Sequence, residues 1–146
     1  KLVTIRYAEE DVQMAINVML DLINAFPNLK GVIGQCSTSA PGVAEAVEQA
    51  GKIDQIFATG ISVPSMMSKY VKSGAVKSFV LWNPVDLGYL TVWAAKYLLD
   101  KNTFEDGKEY DVPGIETKPV FLVQDKMLVL GPPKVFDANN VDQFNF

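Results

Sequence analysis

The sequence contains no histidine and one cysteine, Cys36, in 146 residues. Lack of histidine removes the most common general base, the usual nitrogen ligand for metals and every Ser-His or Cys-His nucleophile pair. A lone cysteine excludes an internal disulfide and a cysteine-built zinc site. Catalysis by Asp, Glu, Lys or Tyr stays open. Long apolar runs are missing too: none approaches the ~20 residues a membrane-crossing helix needs. Positive charge is sparse and unclustered. Thirteen Lys and Arg against seventeen Asp and Glu leave a net charge of -4, which argues against binding nucleic acid through its phosphates.

What remains is ordinary globular material, 49% hydrophobic and 21% charged, of a length that suits one domain. The opening KLVTIRYAEE has neither Met nor an apolar leader and enters a β-rich run at once, so a processed or excised piece is expected. LVTIR (2–6) predicts a strand, followed by a helix from about Glu9 to Phe26, with Met14, Val18, Leu22 and Phe26 at helical spacing. Pro27-Asn28 stops that helix. GVIG (31–34) reads as the next strand, QCSTSAPG as a polar loop, and VAEAVEQA (43–50) as a helix ended by Gly51. IDQIFATG (53–60) predicts strand and turn, PSMMSKYVKS (64–73) a helix ended by Gly74, VKSFVLW (76–82) a strand, and Pro84 to Leu99 a helix.

Strand and helix thus alternate four times, and the strands are short and continuously apolar. That pattern predicts an α/β fold, Rossmann-like and doubly wound, with a mostly parallel sheet covered on both faces by helices. After Lys101 the chain turns polar, and VFLVQDKMLVLG (120–131) predicts an antiparallel C-terminal β-hairpin around Gln124-Asp125.

In an open parallel sheet, ligands bind beyond the carboxyl ends of the strands. Four segments qualify: RYAEE, QCSTSAPG, TGISVPS and WNPVD. None is a phosphate loop, because both G-x-x-x-x-G-K-[ST] and G-x-G-x-x-G are missing. The segments carry neutral hydroxyls and amides (Ser37, Thr38, Ser39, Ser62, Asn83) beside the aromatics Tyr7 and Trp82. Such a mixture suits a polyol, whose hydroxyls exchange hydrogen bonds while its apolar ring face lies on an aromatic face. Each position also has a purely structural reading. Asn83-Pro84-Val85-Asp86 fits a helix start, with Asn83 as N-cap, Pro84 at N1 and Asp86 complementing the dipole. Trp82 suits a core position, Ser37, Thr38 and Ser39 suit caps, and Cys36 suits a small buried hydrophobe.

Taken in order, RYAEEDVQMAINVMLDLINAFPNLKGVIG, APGVAEAVEQAGK, TGISVPSMMSKYVKSGAVKSFVLWNPVDLGYLTVWAAKYLL and the ending NNVDQFNF resemble the C-terminal half of type 1 periplasmic solute-binding proteins of ABC transporters. The likeness is to the branch with rhamnose-binding proteins and autoinducer-2 (LsrB-like) receptors. It implies that residues 1–146 form the C-terminal lobe of a two-lobe protein whose N-terminal lobe is absent. The lobes would close on a ligand in the cleft, with no catalysis and no cofactor. Contacts implied for this lobe are Cys36, Ser37 and Thr38, then Gly60, Ile61 and Ser62, then Trp82 and Asn83, with Tyr7 added from the loop after the first strand. Ribose binders have Asn, Asp and Gln where this chain has Cys36, Ile61 and Trp82, which argues against ribose; the branch it resembles implies a deoxyhexose such as rhamnose.

The resemblance also implies a small sugar and an ABC permease as partners, no nucleic acid, and an extracytoplasmic site with a lipid anchor on the absent N-terminus as one option. Residues 84–101 are expected to pack on the missing lobe. Leu90, Trp93, Ala94 and Tyr97 would then expose a patch or be covered by a partner chain, through dimerisation or swapping. The alternatives are an autoinducer-2 receptor, the effector domain of a LacI-type transcription regulator, and, last, an α/β enzyme.

Overall fold

Capping chemistry sets where the helices begin and end. In the computed structural model, which describes residues 1–122, 124 and 126–146, α1 spans Val12–Ala25. The Asp11 carboxylate accepts from the Met14 amide at 2.6 Å. This start is later than expected because Glu9 and Glu10 adopt φ of 45° and 55°, a left-handed turn that cannot continue a right-handed helix. Strand β1 (Gly31–Gly34) leads to α2 (Ser39–Gln49), which begins ahead of the expected Val43 because a first helical turn tolerates Pro41. Strand β2 (Phe57–Gly60) leads to α3 (Pro64–Ser73), closed by Gly74 at φ 86°. Strand β3 (Ser78–Leu81) is followed by α4 (Pro84–Leu99), β4 (Val120–Leu122), β5 (Met127–Val129), β6 (Lys134–Asp137) and a 3-10 turn at Val141–Gln143.

The chain divides into two compact units, Lys1–Leu81 with Val135–Phe146, and Trp82–Lys134. In the first, β1 and β2 run parallel with Gly31 opposite Phe57 and Gly34 opposite Gly60. Parallel bridges at Ala58–Val76 and Ile61–Val80 carry β3 beside β2, and β6 pairs with β3. One face of this α/β layer is packed. Ala40, Ala44 and Val47 of α2 meet Met19 of α1, Met67 and Val71 of α3, and Phe79 of β3 in a single apolar core. Phe79 stacks on Phe136 with ring centroids 5.0 Å apart.

The other face departs from expectation. Register partners in a parallel pair project to the same side, so Ile33 and Phe57 share a face, and they are 62% and 47% exposed. The predicted cover on both faces is therefore incomplete at β1 and β2. LVTIR forms no strand either, and Leu2, Val3 and Ile5 stand exposed. Its β-rich composition supplies propensity, but a strand exists only where a neighbour accepts its hydrogen bonds.

The second unit contains α4 and the antiparallel β4–β5 hairpin, with Val120 opposite Val129 and Leu122 opposite Met127. Of the expected turn pair Gln124-Asp125, Asp125 lies outside the described residues. Leu90, Tyr110 and Val112 are buried, with Trp93, Tyr97, Phe104 and Phe121 packed against them. Trp93 stacks on Tyr97 at 5.1 Å, and Phe104 stacks on both Tyr97 and Phe121. Leu90 is thus buried, and Trp93 and Tyr97 are half-buried, against residues of their own unit, where the sequence reading expected these residues to form a patch or meet a partner. What α4 leaves exposed is the apolar set Val85, Leu87, Tyr89, Val92, Leu98 and Leu99.

Candidate functional site

Two loops leave the carboxyl ends of β1 and β2 side by side. They can lie this close because Gly34 and Gly60 carry no side chain. A Cβ on Gly60 would stand 2.1 Å from the Gly34 carbonyl oxygen, and one on Gly34 would stand 2.4 Å from the Ala40 Cα. The Ile61 amide donates to the Gly34 carbonyl at 2.9 Å. Ser62 is wholly buried, and its hydroxyl donates to the Ser37 carbonyl at 3.0 Å. Ser62 therefore has no surface to offer a ligand in this conformation, unlike the contact role that the resemblance implied.

The first loop is organised around Cys36. Its thiol lies 3.1 Å from the Ser39 hydroxyl, 3.2 Å from the Thr38 hydroxyl and 3.4 Å from the Ser39 amide, while its own amide donates to the Ser39 hydroxyl at 3.0 Å. Partial burial pushes the thiol upward. Hydrogen bonds with the Ser39 and Thr38 side chains and backbone outweigh that and hold it at about 7. Thr38 occupies the N-cap of α2 without a side-chain capping bond. The expected capping by Ser37, Thr38 and Ser39 is thus replaced by a local network around the thiol. Ser37 is exposed and Thr38 half-buried, and no charged side chain occurs in residues 34–40 or 60–63.

Trp82 and Asn83 open the second unit, directly after β3. Trp82 is 44% exposed, which removes it from the core role that its apolar strand suggested. Asn83 caps α4 as its sequence requires: its side-chain oxygen accepts from the Val85 amide at 3.0 Å and the Asp86 amide at 3.5 Å. Tyr7 is exposed in the irregular segment before α1. The structure thus joins Cys36, Ser37, Thr38, Gly60, Ile61 and Ser62 through two tied loops of one unit.

The sequence reading named Ser39 as a loop hydroxyl or cap but not as a partner of Cys36, and it passed over Gln35. Ser39 is the main partner of Cys36, and the i, i+3 spacing at a helix start, the geometry of a capping box, is the signal that could have found it. Gln35, exposed at the tip of β1, brings an amide to the same loop. Among the described residues, no group of three or more acidic or thiol side chains converges to hold a metal. Nor is any helix there long and apolar enough to cross a membrane. Two small cavities, about 190 Å³ lined by Asp111 to Lys118 and about 260 Å³ around Ile23, Phe26, Lys30 and Lys52, do not include the loop residues.

A family model described as periplasmic binding protein domain matches residues 1–103. The D-allose-binding periplasmic protein of Escherichia coli (strain K12) is 30% identical over 129 residues, which cover 88% of this chain and 39% of that protein. A sugar ABC transporter structure from Actinomyces odontolyticus ATCC 17982 superposes with a TM-score of 0.76 at 26% identity, covering 96% of this chain and 45% of that one. An ABC transporter solute-binding protein from Clostridium phytofermentas, solved with bound L-rhamnose, has a TM-score of 0.78 at 22% identity, covering 99% of this chain and 48% of its own. The chain therefore spans less than half the length of each of these relatives.

Proposed function

The chain belongs to the periplasmic binding protein domain family, and from that membership we propose that it supplies one wall of the ligand cleft in an extracytoplasmic binding protein that delivers a small neutral sugar to an ABC permease. The observation that carries this reading is the pair of tied loops at the carboxyl ends of β1 and β2, which offer hydroxyls, an amide and a thiol but no charge. A neutral polyol is matched by such groups without the desolvation cost of burying an ion.

Ser37, Thr38 and Cys36 form the polar part of this wall, with the Gly60–Ile61 backbone beside them. Trp82 lies against an apolar ring face. Asn83 keeps its side-chain oxygen on α4 and turns its amide N–H groups to a hydroxyl. Cys36, Ile61 and Trp82 make the surface less polar than a fully hydroxylated pentose asks for, which favours a deoxyhexose of the rhamnose kind. The runner-up ligand is autoinducer-2, for which the backbone groups of the Gln35–Thr38 loop serve as well as its hydroxyls. In either case binding energy goes into closing the cleft, without turnover. The exposed apolar set of α4 then packs on a further lobe.

Isothermal titration of the full-length protein with L-rhamnose, D-allose and autoinducer-2 tests this. One of them is expected to bind, and Trp82→Ala to weaken that binding by roughly tenfold or more with the fold intact. Failure of all three, together with failure of a wider set of aldoses, overturns the proposal.

A further inference from the structure

Ser62 is the buried polar side chain of the first unit among the described residues. Its hydroxyl reaches across 25 positions of sequence to the Ser37 carbonyl, at 3.0 Å. The bond does not stand alone. It follows the Ile61 amide to Gly34 carbonyl bond at 2.9 Å and the packing of Gly60 on that same carbonyl. Ile61, between these two ties, also bridges to Val80 of β3. The β2 loop is thereby anchored on the sheet, and the β1 loop is anchored on the β2 loop. At its far end the β1 loop runs into α2 through the Ala40 amide, which donates to the Cys36 carbonyl at 3.0 Å.

Within residues 35–38 the Ser62 hydroxyl is the tie that comes from the β2 loop, and it fixes the Ser37 carbonyl, while α2 holds the flanking carbonyls, the Ala40 amide on Cys36 at 3.0 Å and the Gly42 amide on Thr38 at 3.2 Å. The bonds of Cys36 with Thr38 and Ser39 join the loop to itself and to the first residue of α2, and none of them reaches the Ser37 carbonyl. A carbonyl held by a buried donor has its plane set, and with it the directions in which the side chains of Ser37 and Thr38 leave the backbone. Removing that donor leaves the carbonyl to find water or another partner, which requires the loop to move.

We infer that Ser62 is a positioning residue: it latches the Ser37 carbonyl and so aims the Ser37 and Thr38 hydroxyls at the sugar without touching the sugar itself. This inference rests on the sugar-binding reading above. Its signature is a loss of affinity shared by all ligands, since every sugar meets the same displaced hydroxyls. A direct contact would instead change the order of preference among sugars.

The test compares the full-length wild type with Ser62→Ala and Ser62→Cys, the second keeping nearly the same volume but only a weak donor. Affinities for L-rhamnose and D-allose are measured by titration well below the melting temperature. Amide hydrogen exchange is followed without sugar over residues 35–40 and, as a control, 65–73. Ser62→Ala is expected to weaken every measurable affinity by a common factor, roughly five- to tenfold, and to speed exchange in 35–40 but not in 65–73. Ser62→Cys should fall between it and the wild type, and it carries the comparison if the alanine variant does not fold. Unchanged affinity with a lowered melting temperature would mean a merely stabilising hydroxyl and would overturn the inference. A loss confined to one sugar with unchanged exchange would mean a direct contact, and would overturn it equally. If the wild type binds neither of these two sugars, the affinity comparison is made with whichever ligand the wider titration above finds; if that finds none, the sugar-binding reading fails while the exchange comparison still decides whether the latch holds the loop.

Discussion

The thiol of Cys36 sits where opposing effects meet. Burial disfavours its charged form, while Ser39 and Thr38 place hydrogen-bond partners around the sulfur and bring it from its ordinary value near 9 to about 7. The chain has no histidine, so no other side chain ordinarily titrates in that range. In the unfolded chain the thiol regains its ordinary value. Between about pH 7 and 9 the unfolded state then holds a proton that the folded state has lost, and stability rises with pH across that window. Alkylation of Cys36 by iodoacetamide should accordingly show an inflection near pH 7. Ser39→Ala should move it upward; an inflection that stays in place would show that Ser39 is not the group holding the thiolate. Composition alone suggested a small buried hydrophobe at this position. It could not show the folded loop that brings the Thr38 and Ser39 hydroxyls and the Ser39 amide within hydrogen-bond distance of the sulfur.

At the scale of elements, helix ends were the most legible part of the sequence. Pro84 to Leu99 and Pro64 to Ser73 emerge with the boundaries that Asn83, Pro64 and Gly74 announce, because capping is settled within one turn of chain. Strand LVTIR was misjudged because strand pairing is settled elsewhere in the chain. How α2 sits on α3 is likewise a long-range matter. The Glu45 carboxylate accepts from the Tyr70 hydroxyl at 2.8 Å, from Lys69 at 3.1 Å and from Gln49 at 3.1 Å. The Tyr70 bond above all, then Gln49 and Lys69, holds the Glu45 carboxyl below the usual carboxylate range. A lowered carboxyl stabilises the fold at pH values above that usual range, and the contribution disappears as pH falls through the lowered value. Tyr70→Phe should therefore cost about 1 kcal/mol in urea unfolding at pH 7. The cost should shrink near pH 3; a penalty that is the same at both pH values would assign it to packing alone.

At the scale of the whole chain, two separate apolar clusters underlie the two units. Tyr110 is the hub of the second: its ring meets Trp93, Tyr97 and Phe104 edge-on, and its hydroxyl accepts from the Glu105 amide at 2.7 Å. Tyr110→Ala should destabilise this unit by about 3 kcal/mol. Hydrogen exchange should quicken in α4 and the β4–β5 hairpin and stay unchanged around Phe79 and Phe136; equal acceleration in both clusters would show one cooperative core.

The sequence by itself determined the alternation of strand and helix, the helix caps, the C-terminal hairpin and the lack of histidine or phosphate-loop chemistry. Each of these depends on residue type within a few positions of chain, or on composition. It also carried the family likeness, most specifically through YVKSGAVKSFVLWNPVDLGYL. Only the tertiary structure decided which face of β1 and β2 stays open, that Leu90, Trp93 and Tyr97 pack against the segment after Lys101, and that Ser62 turns inward to Ser37. Those outcomes depend on contacts between residues far apart in sequence. Local propensity does not specify such contacts, and only the folded chain brings them within hydrogen-bonding or packing distance.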